Sequence, residues 1–268
     1  MATSEARPLP AATMVLARDA PRGLEVLMLQ RSLELAFMPG AHVFPGGALD
    51  ASDEAPALRA LCVGLDDAAA SRALGLKSGG LAYWIAAIRE AFEEAGVLLA
   101  YDARGRIVSF NRDTAERFRE HRRALDEGRG DLAQFALDEG LRLAADRLHY
   151  FGHWITPVTA PRRYDTRFFL AIAPEGQEVR HDERETIAHF WVRPQEALEL
   201  SVRDAIQLRF PTRRTLEQFA ACATAADLVA QVSSSGPVSA LLPRITRDGR
   251  HLLPGDPGYD DAENGATA

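Results

Sequence analysis

The amino-acid sequence predicts an α+β protein, built as one domain with helical insertions. Hydrophobic runs with strand character occur at 11–18 and 24–31, and again at 149–158, 166–173 and 187–192. Between the two groups, one stretch has apolar residues at three- and four-residue spacing, as an amphipathic helix requires. More helical sequence follows the last strand. Strands, a central helix, further strands and terminal helices are typical of the α+β class.

The composition excludes several classes of protein. Of the 268 residues, 47% are hydrophobic and 26% charged, which is the balance of a globular chain rather than a disordered one. With 31 Lys and Arg against 38 Asp and Glu, the formal net charge is −7, so we expect no nucleic-acid partner. No apolar run approaches the roughly 20 residues that cross a bilayer, so we expect no membrane partner and a cytoplasmic location. Cys62 and Cys222 form no metal motif.

Each predicted element has a local signal. The first two strands flank a polar stretch at 19–23, which predicts a hairpin. Residues 51–79 are rich in Ala, Asp and Leu and predict a helix. Residues 111–147 predict two helices, each charged on one side and apolar on the other. The final helical sequence covers 194–200 and 212–223.

The central helix is predicted over residues 81–95. Its core-facing side is marked by Ile85, Ile88 and Phe92. Gly96 follows at the position where a left-handed residue commonly ends a helix. The opposite side of this helix is therefore free to line a site.

Three glutamates occupy that opposite side. Glu90, Glu93 and Glu94 lie at i, i+3 and i+4, so their side chains project from one face. Clustered like charges cost a few tenths of a kcal/mol per pair. A divalent cation such as Mg²⁺, which prefers oxygen ligands, would compensate for this repulsion. A solvated acidic helix face explains the bare pattern as well, and the spacing leaves both interpretations open.

The segment 89–97, REAFEEAGV, resembles the second half of the Nudix box, G-x5-E-x7-R-E-U-x-E-E-x-G-U, where U is aliphatic or aromatic. Gly47, followed after five residues by Asp53, resembles the first half of the box, with aspartate in place of the usual glutamate. Asp53 and Arg89 are 36 positions apart instead of the eight of the family pattern, so about 28 residues are inserted. This interruption resembles the coenzyme A diphosphatase branch of the Nudix hydrolases, which includes peroxisomal enzymes and bacterial relatives.

The sequence upstream of the box is similar to the motif of that branch, L-L-T-x-R-S-x-x-L-x4-G-x-V-x-F-P-G-G. The matching residues are Arg31, Ser32, Leu35, Gly40, Phe44, Pro45, Gly46 and Gly47. Leu29 stands in place of the threonine and His42 in place of the first valine. Residues 161–171 also resemble this branch, and the likeness extends over roughly residues 10–220.

The resemblance implies a Nudix fold, which is a mixed β-sheet sandwiched between helices (α/β/α). We expect the Nudix domain over 10–223, with helical insertions at about 51–80 and 111–148. A C-terminal extension is expected over 224–268, with a tail that frays after about residue 254. The insertions are expected beside the site, where they could shape an acyl or pantetheine pocket.

The resemblance also implies roles for the charged residues of the box. Glu90, Glu93 and Glu94 are expected to bind Mg²⁺ or Mn²⁺ ions that bridge a diphosphate and lower the pKa of the attacking water. Arg89 belongs to the catalytic set as a salt-bridge partner that orients the box. The general base is either Glu90 or Glu185, which precedes a strand. A solvated charged loop is the alternative interpretation of Glu185.

The substrate-binding residues that we expect are Arg31, Ser32, Gly40, Gly46, Gly47 and Arg163. The two adjacent glycines would let the backbone approach a phosphate closely. Arg31 can pair with phosphate through its planar guanidinium. Arg163 lies in a basic cluster with Arg162 and Arg167 that could hold a 3′-phosphate, with a structural role as the open alternative.

The implied reaction is the metal-dependent hydrolysis of a diphosphate bond in coenzyme A or acyl-coenzyme A. The products would be 3′-phospho-AMP and (acyl-)4′-phosphopantetheine. Hydrolysis of ADP-ribose or another dinucleotide-type substrate is an alternative, and so is a non-catalytic Nudix module that binds a regulatory ligand. Retention of all three box glutamates argues against the binding module. The expected partner is a small nucleotide substrate, and a homodimer is left open.

Overall fold

The computed structural model describes residues 6–35 and 38–262, with only the backbone for residues 112 and 113. Part of the tail that we expect to fray, residues 263–268, lies outside the described residues. Within the described ranges, no helix has both the length and the apolar character needed to span a membrane.

The strands are β1 Leu9–Ala20, β2 Gly23–Arg31, β3 His42–Val43, β4 Gly46–Ala48, β5 Ala100–Tyr101, β6 Arg142–Leu143, β7 His149–Ile155, β8 Tyr164–Ile172, β9 Thr186–Val192, β10 Ala240–Leu241, β11 Arg244–Ile245 and β12 His251–Leu252. The α-helices are α1 Pro56–Leu61, α2 Asp67–Leu74, α3 Leu81–Ala95, α4 Arg112–Asp126, α5 Leu132–Asp138, α6 Pro194–Val202, α7 Phe210–Phe219 and α8 Ala225–Ser234. Short 3-10 helices cover Ala51–Glu54 and Ala145–Arg147.

Eight strands form one mixed sheet. Its order is β10-β7-β8-β1-β2-β3, with β4 also paired to β1 and β9 to β2. The central pair, β1 and β8, is parallel, with Leu9 opposite Tyr164. β1 and β2 form the predicted antiparallel hairpin. The mixed sheet that the sequence predicts is therefore confirmed.

The side chains of β1 alternate between two hydrophobic cores, as the pleat of a strand requires. Met14 and Leu16 lie in the core beneath α3, whereas Val15 and Ala17 lie in the core on the other face. The helices α6 to α8 contribute to this second core the side chains of Ala197, Leu216, Phe219 and Leu228. The sheet is thus covered by helices on both faces, and the predicted α/β/α arrangement is confirmed.

Helix α3 has the orientation that its periodicity predicts. Ile85, Ile88 and Phe92 are fully buried against the sheet. Gly96 ends the helix in the left-handed conformation, with φ 69°, and its N–H donates to the carbonyl of Phe92 at 3.0 Å. The predicted cap is confirmed, and it fixes where the acidic side of the helix stops.

The first helical segment is broken into three pieces. The sequence predicts a helix over 51–79, but the structure has the 3-10 turn Ala51–Glu54 followed by α1 and α2. Pro56 begins α1, and Gly64, at φ 75°, turns the chain after it. The side chain of Asp66 caps α2. Local caps and a left-handed glycine therefore interrupt the Ala-rich run.

The second helical segment ends earlier than predicted. α4 and α5 lie within 111–147 as expected, but α5 ends at Asp138. Gly140 follows with φ 63°, and the chain then forms β6, which pairs with β5. Pairing with a strand that is distant in sequence overrides the helical pattern, because strand formation depends on its context.

Ordered structure continues after residue 223, where the sequence predicts no element. Thr224 and Asp227 cap α8 reciprocally in a capping box. β10 then pairs in parallel with β7 at the edge of the sheet. The Thr-x-x-Asp spacing is a readable helix signal, whereas a two-residue strand has none.

Replacing Gly96 by alanine is expected to lower the free energy of unfolding by about 1–2 kcal/mol, because a side chain strains the left-handed conformation. A Cβ there would also lie 3.0 Å from Nη1 of Arg122. Urea unfolding measures the loss. Gly236→Ala is the control, since a Cβ at Gly236 meets nothing within 4 Å and its φ lies outside the strained range. Equal losses in the two variants would contradict the capping role.

Candidate active site

The acidic side of α3 lies against the glycine turn of β4. Glu90 and Glu94 are buried, with 9% and 6% of their surface exposed, and Glu93 is half-buried. The backbone N–H of Gly46 donates to Oε2 of Glu94 at 2.9 Å. The three glutamates predicted on one face are therefore held in a largely desolvated place between the helix and the sheet.

Arg89 lies among these glutamates and is itself buried. Its Nε and Nη2 donate to the two carboxylate oxygens of Asp53 at 2.8 and 2.9 Å. Its Nη1 donates to Glu90 at 2.8 Å and to Glu93 at 3.4 Å. Burial by itself would lower the pKa of Arg89, but the hydrogen bonds to Asp53 and the charge of Glu90 raise it. Arg89 therefore stays charged and organises the acidic face.

Asp53 is the residue that fixes Arg89 from the other side. Its side chain is completely buried, and its Oδ2 also accepts the backbone N–H of Asp50 at 2.8 Å. The insertion that contains α1 and α2 begins after Asp53, and the box resumes in α3. The two halves of the interrupted box thus meet in space despite the 36 positions between Asp53 and Arg89.

The two glycines of β4 are required by the protein's own packing. A Cβ on Gly46 would lie 2.5 Å from the carbonyl oxygen of Ala12, and one on Gly47 would lie 2.5 Å from Oε1 of Glu90. Such separations are far below van der Waals contact. The sequence interpretation assigns these glycines to phosphate approach. In the structure, the space that a side chain at either glycine would occupy is already filled by strand β1 or by the carboxylate of Glu90.

The buried carboxylates are short of positive charge. Burial raises the pKa of Glu94 well above its usual range, the charge of Glu90 raises it further, and the hydrogen bond from Gly46 offsets only part of this. Burial also raises the pKa of Glu90 to about 7 against the opposing effect of Arg89. The pKa of Glu93 is raised by burial as well. Desolvated carboxylates of this kind favour a bound cation.

The acidic face is not arranged as a closed coordination sphere. Within the described part of the chain, no group of three or more His, Cys, Asp or Glu side chains could hold a metal ion as it stands. Glu90 and Glu93 are turned toward Arg89, and Glu94 toward Gly46. Their role as metal ligands stays a prediction, and it requires these side chains to turn toward the ion.

A cleft of about 860 Å³ opens beside the glutamates. Of the residues that the sequence assigns to the site, those that line it are Arg31, Gly46, Gly47, Arg89, Glu90, Glu94 and Glu185. Glu93 lies outside this lining. The cleft therefore joins most of the predicted catalytic residues to one predicted phosphate-binding arginine.

Arg31 and Glu185 lie at the same end of the cleft as Glu94. The positive charge of Arg31 lowers the pKa of Glu94 and the negative charge of Glu185 raises it. The Nε of Arg31 is buried without a hydrogen-bond partner among the described residues, which leaves a donor for an anion. The carbonyl of Glu185 accepts the N–H of Ser32 at 2.8 Å, which holds the exposed acid beside the end of β2.

The structure places Arg163 outside the lining of the cleft. Its Nε and Nη1 donate to the backbone carbonyls of Thr156 and Ala6, each at 3.0 Å, and its side chain is buried away from the cleft lining. Arg162 lines the cleft instead, with its guanidinium 5.2 Å from the ring centre of Tyr164. These contacts favour the structural alternative for Arg163, and Arg162 is the cation of this cluster that faces the cleft.

Ser32 and Gly40 also lie outside the cleft lining. The hydroxyl of Ser32 accepts the N–H of Glu34 at 3.3 Å, which stabilises the turn after β2. Gly40 has φ 68°, and a Cβ there would lie 2.8 Å from the side chain of Leu33. Both residues shape the loop that leads from Arg31 to β3 instead of lining the site.

The sequence analysis does not assign Asp53 or Arg122 to the site. Asp53 has a readable signal, because it stands six positions after Gly47 as the box requires. Arg122 has none. It lies on α4, its Nε donates to the carbonyl of Glu93 at 2.8 Å, and its buried Nη2 has no hydrogen-bond partner in the described ranges. Arg122 thereby ties the second insertion to the acidic helix.

Replacing Asp53 by alanine is expected to lower the free energy of unfolding by about 3–5 kcal/mol, because it strands the buried charge of Arg89. Chemical denaturation followed by circular dichroism measures the loss. Glu178→Ala is the matched control, since it breaks the exposed pair that Glu178 forms with Arg180 at 2.8 Å and should leave stability nearly unchanged. A loss for Asp53→Ala no larger than for the control would refute the anchoring role.

Comparison with known proteins agrees with this geometry. Residues 65–217 match the family described as the NUDT19 Nudix domain. The chain is 33% identical to the acyl-coenzyme A diphosphatase NUDT19 of Homo sapiens, in an alignment that covers 96% of this chain and 76% of the relative. It is 34% identical to the protein of the same name from Gallus gallus over 213 residues, covering 67% of this chain and 56% of that relative.

A solved structure is similar across the whole fold. It is the crystal structure of a NUDIX hydrolase from Alicyclobacillus acidocaldarius, with a TM-score of 0.71 and 27% sequence identity. The match covers 87% of this chain and 99% of that one. The interrupted box with its two halves rejoined, the α/β/α sheet and these relatives lead to one conclusion. This chain is a Nudix hydrolase and belongs to the NUDT19 Nudix domain family.

Proposed function

We propose that this chain hydrolyses the diphosphate bond of coenzyme A or acyl-coenzyme A, giving 3′-phospho-AMP and (acyl-)4′-phosphopantetheine. The observation that carries the proposal is one cleft with two buried, undercompensated glutamates and an arginine with an unused donor, Arg31. Such a cleft fits an anionic diphosphate that arrives with its cation. The names of the relatives, acyl-coenzyme A diphosphatases, support the substrate class.

We assign Glu90, Glu93 and Glu94 as the ligands of Mg²⁺ or Mn²⁺. The assignment fits because burial raises the pKa of all three carboxylates, and Arg89, the cation that contacts Glu90 and Glu93, is shared with Asp53. When bound, the ions would neutralise diphosphate oxygens and lower the pKa of a water molecule. Arg89 would orient Glu90 and Glu93 on the acidic side of α3.

We favour Glu185 over Glu90 as the general base. Glu90 already accepts a hydrogen bond from Arg89 at 2.8 Å, whereas no described side chain pairs with the exposed carboxylate of Glu185. Glu185 can therefore take the proton of the attacking water while the water oxygen bonds to phosphorus. The bond from phosphorus to the bridging oxygen breaks, and the other phosphate leaves.

Two arginines are placed to hold the substrate anions. Arg31, near Glu94, would pair with the diphosphate through its free Nε. Arg162, on the loop between β7 and β8, would pair with the 3′-phosphate of the adenosine half. We also propose that the protein acts in the cytoplasm, that its metal is Mg²⁺ or Mn²⁺, and that it can form a homodimer.

The wild-type protein is expected to release 3′-phospho-AMP from coenzyme A or octanoyl-coenzyme A when Mg²⁺ or Mn²⁺ is present. The measurement is a hydrolysis screen over these two compounds, ADP-ribose and NADH, with products resolved by mass spectrometry. Turnover of ADP-ribose or NADH alone would reject the coenzyme A assignment. Binding of coenzyme A without any turnover would indicate the regulatory module instead.

Glu94→Gln provides the control for that screen, because its amide oxygen can still accept the N–H of Gly46. Losing this carboxylate should reduce kcat by at least about 10²-fold, the scale of one electrostatic stabiliser of a transition state. Unchanged product release by this variant would show that the activity comes from a contaminant or from another site.

Glu185→Gln is expected to lower kcat for coenzyme A by about 10²–10⁴-fold, the usual contribution of a general base. Stopped assays at saturating substrate and metal measure kcat directly. Glu183→Gln is the matched control, because Glu183 is an exposed acid on the same loop and lies outside the cleft lining. If Glu183→Gln and Glu185→Gln have equal kcat values, Glu185 is not the base and Glu90 takes its place.

A further inference from the structure

The segment after α8 lies beyond the residues that the family model matches, yet it is part of the sheet. Ala240 and Leu241 of β10 pair in parallel with His153 and Trp154 of β7. The chain then forms the hairpin of β11 and β12, with Arg244 opposite Leu252. This segment, residues 240–259, is called the C-terminal wall below.

Tertiary hydrogen bonds fix the C-terminal wall. Nη1 of Arg244 donates to the carbonyl of Tyr259 at 2.7 Å, and its guanidinium lies 4.4 Å from the centre of the Tyr259 ring. The hydroxyl of Tyr259 donates to the carbonyl of Leu242 at 2.8 Å. A cation stacked on a ring and two backbone contacts hold the hairpin within the C-terminal wall. The pairing of β10 with β7 joins the wall to the body of the protein.

The C-terminal wall and α7 together form an apolar surface in the cleft. The residues of this surface that line the cleft are Trp154, Phe210, Pro211, Pro243, Ile245 and His251. Arg31, Glu90 and Glu94 line the same cleft, so the apolar surface is continuous with the proposed diphosphate site. A substrate with a charged centre and an apolar arm matches this division.

The chemistry of the surface favours an alkyl chain over a planar base. One face of the Phe210 ring is stacked on His251, with centroids 4.6 Å apart and an interplanar angle of 17°. Trp154 packs at 89° to Phe210. The side chains of Pro243 and Ile245 have no hydrogen-bonding atom with which to recognise the edge of a base. Contact with Pro243 and Ile245 is therefore apolar and without direction, which suits a flexible hydrocarbon.

We propose that the C-terminal wall receives the acyl chain of the substrate and sets the chain-length preference of the enzyme. The inference rests on the proposed function and deepens it, because it places the specificity of the reaction in residues after α8. Ile245, which is half-buried at the cleft, is the residue that should respond most directly. This proposal assigns the acyl pocket to the C-terminal wall, whereas the sequence analysis suggests that the helical insertions shape it.

The test compares kcat/KM for octanoyl-coenzyme A with that for free coenzyme A, in the full chain. Ile245→Asp should lower the value for octanoyl-coenzyme A by about 10-fold or more, because a charge now faces the alkyl chain, and leave free coenzyme A within about 3-fold. Ile245→Ala should act in the same direction and serves if the aspartate variant does not fold. Val202→Asp, at an exposed valine of α6 outside the cleft lining, should change neither value.

The outcomes separate the two proposals. Equal losses on both substrates, or an unchanged ratio in both Ile245 variants, overturn the acyl-chain inference while wild-type hydrolysis of coenzyme A stands. Wild-type protein that hydrolyses neither compound overturns the proposed function, and with it the inference. A selective loss for octanoyl-coenzyme A, absent in Val202→Asp, supports the C-terminal wall as the acyl site.

Discussion

The buried ion pair between Arg89 and Asp53 is the contact on which the site depends. Both oxygens of Asp53 accept hydrogen bonds from the guanidinium, whose remaining nitrogen reaches Glu90 and Glu93. A planar fork with two bonds on one side fixes the direction of the third nitrogen. Because Asp53 also caps its own turn, the start of the insertion, the acidic helix and the end of β4 are joined at one point.

The same arrangement leaves the acidic face unbalanced. Arg89 divides one positive charge among Asp53, Glu90 and Glu93. Glu94 accepts the backbone N–H of Gly46, and the positive charge of Arg31 offsets only part of its burial. In a desolvated place this deficit raises the pKa of the box glutamates. A folded protein keeps such a deficit where a ligand supplies the missing charge, and a cation that accompanies an anionic substrate would supply it.

Local patterns in the sequence predict the elements that carry the site. The apolar spacing of Ile85 and Phe92 and the cap at Gly96 fix α3 and its acidic face, because helix periodicity is a short-range property. Asp53 contacts Arg89 through tertiary packing across the insertion, and the distance between the two residues in the sequence does not reveal this contact. The guanidinium of Arg163 donates to backbone carbonyls instead of lining the cleft, and the sequence does not show this because the direction of a long side chain depends on tertiary contacts.

The cleft is formed by parts of the chain with different constraints. At one end, glycines and glutamates pack so closely that a single Cβ at Gly47 would strike Glu90. At the other end, Pro243 and Ile245 contribute only apolar surface from a short hairpin held by Arg244 and Tyr259. An apolar surface tolerates changes of shape far better than a buried charge network tolerates the loss of a partner. The proposed hydrolytic end is therefore fixed by the fold. If the C-terminal wall receives the acyl chain as proposed, the preference for one chain over another can change without disturbing that end.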